Sequence, residues 1–145
     1  MDPRAQAIVT LFEQLQPTDI ERLGRHYDEA AYFRDPFNEV HRLSAIQAIF
    51  AHMFETLEAP RFKVLETLVE GDQCFMCWDF QFGLRGRAQA IHGSSHLRFG
   101  TDGRVVYHRD YWDAAEELYE KLPLVGALLR LIKRRMRVPQ RFSET

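Results

Sequence analysis

Cysteine is scarce in this sequence, which contains two, Cys74 and Cys77, among 145 residues. Their CxxC spacing occurs in zinc and redox sites, but neither a second CxxC nor a clustered Cys/His pair accompanies it. Both lie in the run 74–82, which predicts a β-strand, and residues three apart on a strand point to opposite faces. We therefore expect two buried or half-buried thiols, no metal and no other cofactor.

The sequence also lacks a strong charge excess, a long apolar run and a glycine-rich phosphate loop. Its net charge of -2 gives no reason to expect a nucleic-acid partner. Its longest apolar run is far too short to cross a bilayer, and residues 1–14 lack the charged-then-apolar layout of a secretion signal. A composition with 46% hydrophobic residues is typical of one soluble domain. We therefore expect a cytoplasmic protein.

Up to residue 60 the apolar residues recur at helical spacing. A capping box of Thr18 and Glu21 supports the second of the predicted helices, and Pro36 forces Asp35 out of the helical region into a short strand. Helices are predicted at 4–15, at 18–30 and from 44 to just before 60, with the short strand at 32–35.

After Pro60 apolar and polar residues alternate, as they do in half-buried strands. Four strands are predicted at 62–70, 73–84, 90–99 and 104–112. Their connectors are short and contain glycine, which indicates an antiparallel meander. Because the helices come before the strands instead of alternating with them, the predicted fold class is α+β.

The C-terminal residues are basic and helical in pattern, interrupted by Pro123. Residues 126–145 contain six Lys or Arg and one acid, Glu144. We divide the chain into a domain at 1–122 and a basic amphipathic helical tail at 123–145. Such a helix usually packs on its own domain or on a partner, and contact with an anionic membrane is the less favoured alternative.

Three segments follow one another in a distinctive order: 19–37, which ends in Phe33-Arg-Asp-Pro-Phe37, then 97–105, then His108-Arg-Asp-Tyr-Trp-Asp113. In this order they resemble the nuclear transport factor two-like superfamily, which includes ketosteroid isomerases and SnoaL-like polyketide cyclases. The resemblance covers about residues 5–118. It implies a cone-shaped fold: a curved antiparallel sheet, N-terminal helices packed over its concave face, a blind interior pocket and a C-terminal helical tail.

Asp35, in its position before Pro36, resembles the general base of ketosteroid isomerases. In those enzymes a tyrosine and a protonated aspartic acid hold the enolate oxygen. The tyrosine's position here falls to Leu11 or Phe12, and the second acid's position falls to Ser95. The resemblance therefore implies a base without its oxyanion hole.

The segment Arg109-Asp-Tyr-Trp112 is similar to the Arg-Asp-Tyr-Phe segment of limonene epoxide hydrolase. This similarity implies a catalytic role for Asp110. The Arg-x-Asp of that enzyme reads Cys77-Trp78-Asp79 here, so Asp79 keeps the acid without the arginine.

Strand parity predicts which side chains share the concave face. If Trp112 points inward, so do Asp110, His108 and Val106, and if Ser95 lines the pocket, so do Leu97 and Gly93. The alignment with relatives implies the same for Asp79 and Gln81. The candidate catalytic residues are Asp35, Asp79, Asp110 and His108. The candidate substrate contacts are Phe12, Tyr27, Phe50, Ser95 and Trp112.

Carboxylates that share a desolvated pocket cannot all ionise cheaply, so one of them is expected to have a raised pKa. We expect proton transfer on an apolar cyclic molecule, with Asp35 or Asp110 as base and His108 as acid or orienting group. The enzyme class stays open among isomerase, cyclase, dehydratase and hydrolase. The alternative is a non-catalytic ligand-binding or assembly module, in which Asp35 closes a turn, Asp110 pairs with an arginine and His108 is a core histidine.

The opposite face of the sheet is predicted to form a homodimer interface. A mixed aromatic and polar surface of this kind is typical of interfaces. The residues assigned to this face by parity are Trp78, Phe80, Phe82, His92, His96 and Arg98.

Overall fold

The computed structural model describes residues 1–113 of the chain. Residues Met1–Trp112 form one compact unit. The predicted tail at 123–145, with its proposed packing or membrane contact, lies outside the described residues. Within residues 1–113, no helix is both long and apolar enough to cross a membrane.

Two α-helices and one 3₁₀ helix lie in the N-terminal half. Helix α1 spans Pro3–Gln14 and begins where the Asp2 side chain accepts a hydrogen bond from the backbone N–H of Arg4 at 2.8 Å. The 3₁₀ helix spans Pro17–Arg25, and α2 spans Leu43–Thr56.

Six strands form one sheet in the order β2-β1-β6-β5-β4-β3. Strands β3 to β6 are antiparallel neighbours, as the sequence predicts. The strand bounds are Tyr27–Arg34 for β1, Glu39–Val40 for β2, Glu58–Glu70 for β3, Gln73–Leu84 for β4, Arg87–Phe99 for β5 and Val105–Tyr111 for β6.

Two sequence predictions about residues 27–34 are wrong. The second helix ends at Arg25 instead of Ala30, and Tyr27 begins β1. Strand β1 also runs parallel to β6, with Phe33 opposite His108, so the sheet is mixed and not purely antiparallel. Pairing with a strand about 75 residues further along the chain overrides the local helical signal, because sheet hydrogen bonds and burial decide strand formation.

The core lies between the helices and the inner face of the sheet. Register shifts interrupt β3, which bends the sheet where its ladder is disrupted. The core combines buried residues of α1, such as Ile8 and Phe12, with buried residues of the strands, such as Phe33 and Leu97. The result is the predicted α+β cone, with an open, curved sheet and helices on its inner side.

The predicted faces of β4 are reversed in the structure. Trp78, Phe80 and Phe82 are buried on the inner face, whereas Asp79 and Gln81 alternate with them on the outer face. Alternation along β4 favours the observed arrangement, because its buried positions are all apolar while Asp79 and Gln81 lie between them; the prediction of the opposite face came from the alignment with relatives. Two predictions are therefore wrong: Asp79 does not face the interior, and these three aromatic residues do not lie on the outer face.

The predicted inward position of Val106 is also wrong. A register shift between Arg98 and Phe99 places a bulge in the β5–β6 pair, and Val106 is exposed. A bulge adds one residue to a strand and thereby exchanges the two faces on either side of it. Beyond the bulge, His108 lies on the inner face as predicted.

Candidate functional site

Five polar side chains on four neighbouring strands form a continuous hydrogen-bonded chain inside the cone. We call them the Asp110 network: Tyr27 from β1, Trp78 from β4, Ser95 from β5, and His108 and Asp110 from β6. Ser95 lies directly opposite Asp110 in the β5–β6 pair. His108 lies two residues before Asp110, so both face the same side of the sheet.

The network converges on one oxygen of Asp110. The Trp78 indole Nε1 donates to the Ser95 hydroxyl at 2.9 Å, and that hydroxyl donates to Asp110 Oδ1 at 2.5 Å. On the other side His108 Nε2 lies 2.6 Å from the same Oδ1, and His108 Nδ1 lies 2.7 Å from the Tyr27 hydroxyl. The second oxygen, Oδ2, accepts no hydrogen bond from residues 1–113.

Burial separates Asp110 from the other members of the network. Tyr27 is 0% exposed, Ser95 1% and His108 2%. The side chain of Asp110 is 16% exposed. Of the network's side chains, Asp110 is therefore the one that a bound molecule reaches most readily, while the others support it from behind.

The environment of the network is apolar and aromatic. The His108 ring lies edge-on to Phe33 at 4.7 Å and tilted to Phe12 at 5.7 Å, both measured between ring centroids. Burial raises the pKa of the Tyr27 hydroxyl well above its usual value, and the negative charge of Asp110 raises it further. The tyrosine is therefore a neutral phenol in the folded protein.

A glycine makes room for the indole of Trp78. Gly93 lies directly opposite Trp78 in the β4–β5 pair. A Cβ atom at Gly93 would lie 2.6 Å from Trp78 Cη2 and 3.0 Å from Trp112 Cβ. The absence of a side chain at Gly93 thus leaves the space that the Trp78 indole occupies when it bonds Ser95. Trp112 packs edge-on against Phe37, with 5.4 Å between the ring centroids.

Asp35, one of the four predicted catalytic residues, lies outside the network. Its Oδ1 accepts hydrogen bonds from the backbone N–H groups of Phe37 at 2.8 Å and Asn38 at 2.6 Å. This is the local turn closure that short acidic side chains often provide. The hydrogen bonds of the Asp35 side chain within residues 1–113 are all to its own turn, and none reaches Asp110.

Asp79 also lies apart from the other predicted catalytic residues. It faces the outer side of the sheet, where its Oδ1 lies 2.9 Å from Nδ1 of His92. Its side chain is 38% exposed. Of the four predicted acid–base residues, the structure therefore brings together Asp110 and His108.

The predicted substrate contacts divide into three groups. Tyr27 and Ser95 belong to the Asp110 network. Phe12 and Phe50 are buried core residues, with Phe12 beside His108 and Phe50 edge-on to Phe33. Trp112 is partly buried at the edge of the core.

Sequence reasoning missed Trp78 as a member of the site. The alternation of β4 favours the inner face for Trp78, but the alignment with relatives placed Asp79 inside and so assigned Trp78 to the outer face. The signal that identifies its position is Gly93 on the neighbouring strand, which leaves space for a large ring directly opposite.

A separate groove of about 570 Å³ lies on the surface beside α1, between residues such as Thr10, Gln14 and His26. It includes Leu11 but none of the predicted catalytic residues. Within residues 1–113, no three His, Cys, Asp or Glu side chains lie close enough together to hold a metal ion.

Comparison with known families identifies the fold. The family model of the SnoaL-like domain matches residues 8–108, which is more than half of the chain. The protein therefore belongs to the SnoaL-like domain family. A comparison with curated protein sequences gives no match.

Solved structures of the same fold include proteins of different descriptions. An NTF2-like protein of unknown function from Burkholderia pseudomallei has a TM-score of 0.70 and 18% identity, over 80% of this chain and 95% of that one. TerC, co-crystallised with polyporic acid, has a TM-score of 0.69 and 18% identity, over 79% and 95%. An LEH-like epoxide hydrolase from M. tuberculosis has a TM-score of 0.66 and 12% identity, over 90% and 93%. At these identities the likeness establishes the fold alone.

Proposed function

We propose that this protein binds an apolar cyclic molecule and that Asp110 acts on it as a general base without a cofactor. The observation that carries the proposal is the geometry of the Asp110 carboxylate. Ser95 and His108 both bond its Oδ1, whereas its Oδ2 has no partner within residues 1–113. A carboxylate held in one orientation with one oxygen available is suited to accept a proton from a bound substrate.

The apolar surroundings favour a ligand that is itself apolar. Phe12 and Phe33 pack against His108 of the network, and aromatic walls with a few convergent polar groups are typical of small-molecule sites. The co-crystallisation of TerC with polyporic acid supports a small-molecule ligand for this fold.

The geometry favours an isomerase or cyclase over a hydrolase. Hydrolysis requires a base for water and a separate acid for the leaving group, but His108 and Tyr27 are too deeply buried to touch a substrate. A single carboxylate suffices for a proton shift. Oδ2 takes a proton from carbon as the C–H electrons move into an adjacent carbonyl to form an enolate, and the same proton then returns to a different carbon.

The test compares Asp110→Asn with Asp79→Asn, which makes the same change on the outer face. The probes are a β,γ-unsaturated cyclohexenone, whose isomerisation produces conjugated absorbance, and cyclohexene oxide, whose hydrolysis produces a diol. We expect isomerisation by the wild type to fall on the order of 100-fold or more in Asp110→Asn. Asp79→Asn should stay within about twofold of the wild type.

Two outcomes would contradict this proposal in different ways. Equal turnover by Asp110→Asn and the wild type would remove Asp110 as the base. An absence of turnover, together with equally tight binding of the cyclohexenone by both proteins, would instead favour a non-catalytic ligand-binding module of the same fold.

We also propose that the outer face of the sheet pairs with a second copy of the chain. Four rings cross it from β4 to β1, namely Phe75, His96, Tyr107 and Tyr32, with neighbouring centroids 4.3, 5.2 and 5.2 Å apart. We call them the outer ring row. Aromatic and arginine side chains are enriched in interfaces.

The charges beside the outer ring row support self-association. Arg98 stacks over Tyr107 at 4.9 Å, and the partly exposed acid Asp79 lies on the same face. A two-fold axis between Arg98 and Asp79 would bring one copy's cation near the other copy's anion. We expect a dimeric mass by sedimentation at micromolar concentration and a monomer for Phe75→Glu, and a monomeric wild type would refute the interface.

A further inference from the structure

One end of the Asp110 network has a fixed direction because it is an indole. The Nε1–H of Trp78 is a donor and never an acceptor, so Ser95 Oγ accepts this bond. The proton of the Ser95 hydroxyl is then directed to its other neighbour, Oδ1 of Asp110, 2.5 Å away. This side of the network therefore delivers a hydrogen bond to the carboxylate.

The other end is the buried phenol of Tyr27. Burial and the charge of Asp110 raise its pKa, so it retains its proton. The phenol oxygen lies 2.7 Å from His108 Nδ1. A neutral imidazole has one bare and one protonated nitrogen. If the phenol donates to Nδ1, the imidazole proton lies on Nε2, which is 2.6 Å from Asp110 Oδ1.

The remaining neighbours of the His108 ring do not compete for its protons. Phe12 and Phe33 pack against it and carry no polar side-chain group. Within residues 1–113, the titratable groups in contact with the ring are Tyr27 and Asp110. The choice of ring nitrogen therefore depends on these two groups.

We propose that Tyr27 is a positioning residue whose hydroxyl fixes His108 as a neutral imidazole protonated at Nε2. Both sides of the network then donate to Oδ1 of Asp110, and Oδ2 is left to receive the substrate proton. In this arrangement His108 orients the carboxylate and is not itself the acid of the reaction. The kinetic consequence rests on the proposed function, whereas the position of the imidazole proton does not.

The first test is the ¹⁵N signature of His108 in the wild-type protein, with the signal assigned by its loss in His108→Asn. Long-range ¹H–¹⁵N correlations distinguish the two tautomers and the charged ring. At about pH 8, above the range in which histidine ordinarily titrates, we expect a protonated Nε2 and a bare Nδ1. A proton on Nδ1, alone or together with one on Nε2, would overturn the proposal, and this result does not require Tyr27→Phe to fold.

The second test is Tyr27→Phe, with Tyr32→Phe as the matched control. Tyr32 lies on the same strand, but its hydroxyl bonds Glu39 on the exposed side. In Tyr27→Phe we expect mixed tautomers or a charged ring at His108, and a kcat on the cyclohexenone lower by roughly 10- to 100-fold with KM within about threefold. Tyr32→Phe should change neither measurement.

The two tests separate failure of this inference from failure of the proposed function. An unchanged His108 signature in Tyr27→Phe would refute the positioning role. The expected signature in a wild type that does not isomerise the cyclohexenone would support the positioning role and count against the catalytic function.

Discussion

Removing the Ser95 hydroxyl tests the Asp110 network through stability, independently of any substrate. Ser95→Ala deletes the hydrogen bond donated to Asp110 and also the acceptor of the Trp78 indole N–H. A hydrogen bond to a charged group contributes roughly 1.5–3 kcal/mol, and a buried donor without an acceptor costs roughly 1–3 kcal/mol.

These two effects act together because Ser95 is 1% exposed, which leaves little access for water to replace the hydroxyl. Asp110 keeps its hydrogen bond from His108. The free energy lost with the Ser95–Asp110 hydrogen bond therefore lies near the lower end of the range of roughly 1.5–3 kcal/mol. We expect Ser95→Ala to lower the free energy of unfolding by about 3 kcal/mol. At about 2–4 °C per kcal/mol for a chain of this size, the midpoint should fall by roughly 6–12 °C.

The control is Ser94→Ala, one residue earlier on the same strand and on the opposite face. This surface-side change should stay within about 0.5 kcal/mol of the wild type. Thermal and urea unfolding of the three proteins give the comparison. If Ser95→Ala and Ser94→Ala have the same stability within that margin, the reasoning about the network is refuted.

Three further predictions concern other parts of the chain. Burial raises the pKa of Cys74 to about 11, whereas Cys77 is half-buried on the outer face. At about pH 8 we therefore expect one thiol to react with a thiol reagent in the folded protein and two after denaturation. Two rapidly reacting thiols in the folded state would contradict the burial of Cys74. Hydrogen bonds from Arg4 lower the pKa of Asp2 from 3.8 to about 2. The stability that Asp2 contributes is therefore present above pH 3.8 and lost as the pH falls toward 2. Stability should fall less steeply with acid in Asp2→Asn than in the wild type, and identical acid-unfolding curves for the two proteins would refute this. Asp35→Asn should isomerise the cyclohexenone at a rate within about twofold of the wild type, because Asp35 bonds its own turn. A large loss of kcat would show that Asp35 takes part in the reaction.

Local sequence rules predict most of the sheet but only the end of its first strand, predicted at 32–35. The alternation after Pro60 gives β4 with its observed bounds, Gln73–Leu84. Residues 27–30 follow helical signals, yet they form β1, because Tyr27 is fully buried in the core and pairs with Val105 of β6. A parallel pair between distant segments leaves no short-range mark in the sequence.

The candidate site is predictable to the extent that one strand pair defines it. The period of two places His108 and Asp110 on one face of β6, and direct pairing adds Ser95 from β5. The same rule places Asp79 on the outer face of β4, between buried apolar residues, whereas the resemblance to relatives implied the inner face. The packing of Trp78 against Gly93 is consistent with the alternation.

The positions of Asp35 and Asp79 change the chemical argument as well as the residue list. The sequence-based expectation of a raised pKa depended on several carboxylates repelling one another in one pocket. With Asp35 bonded to its turn and Asp79 paired with His92, neither acid joins the network, and Ser95 and His108 bond Oδ1 of Asp110 instead. The proposed role of Asp110 therefore depends on orientation: Oδ1 is held, and Oδ2 has no partner within residues 1–113. A site that acts through orientation favours a substrate whose proton is already acidic, such as one on the carbon next to a carbonyl.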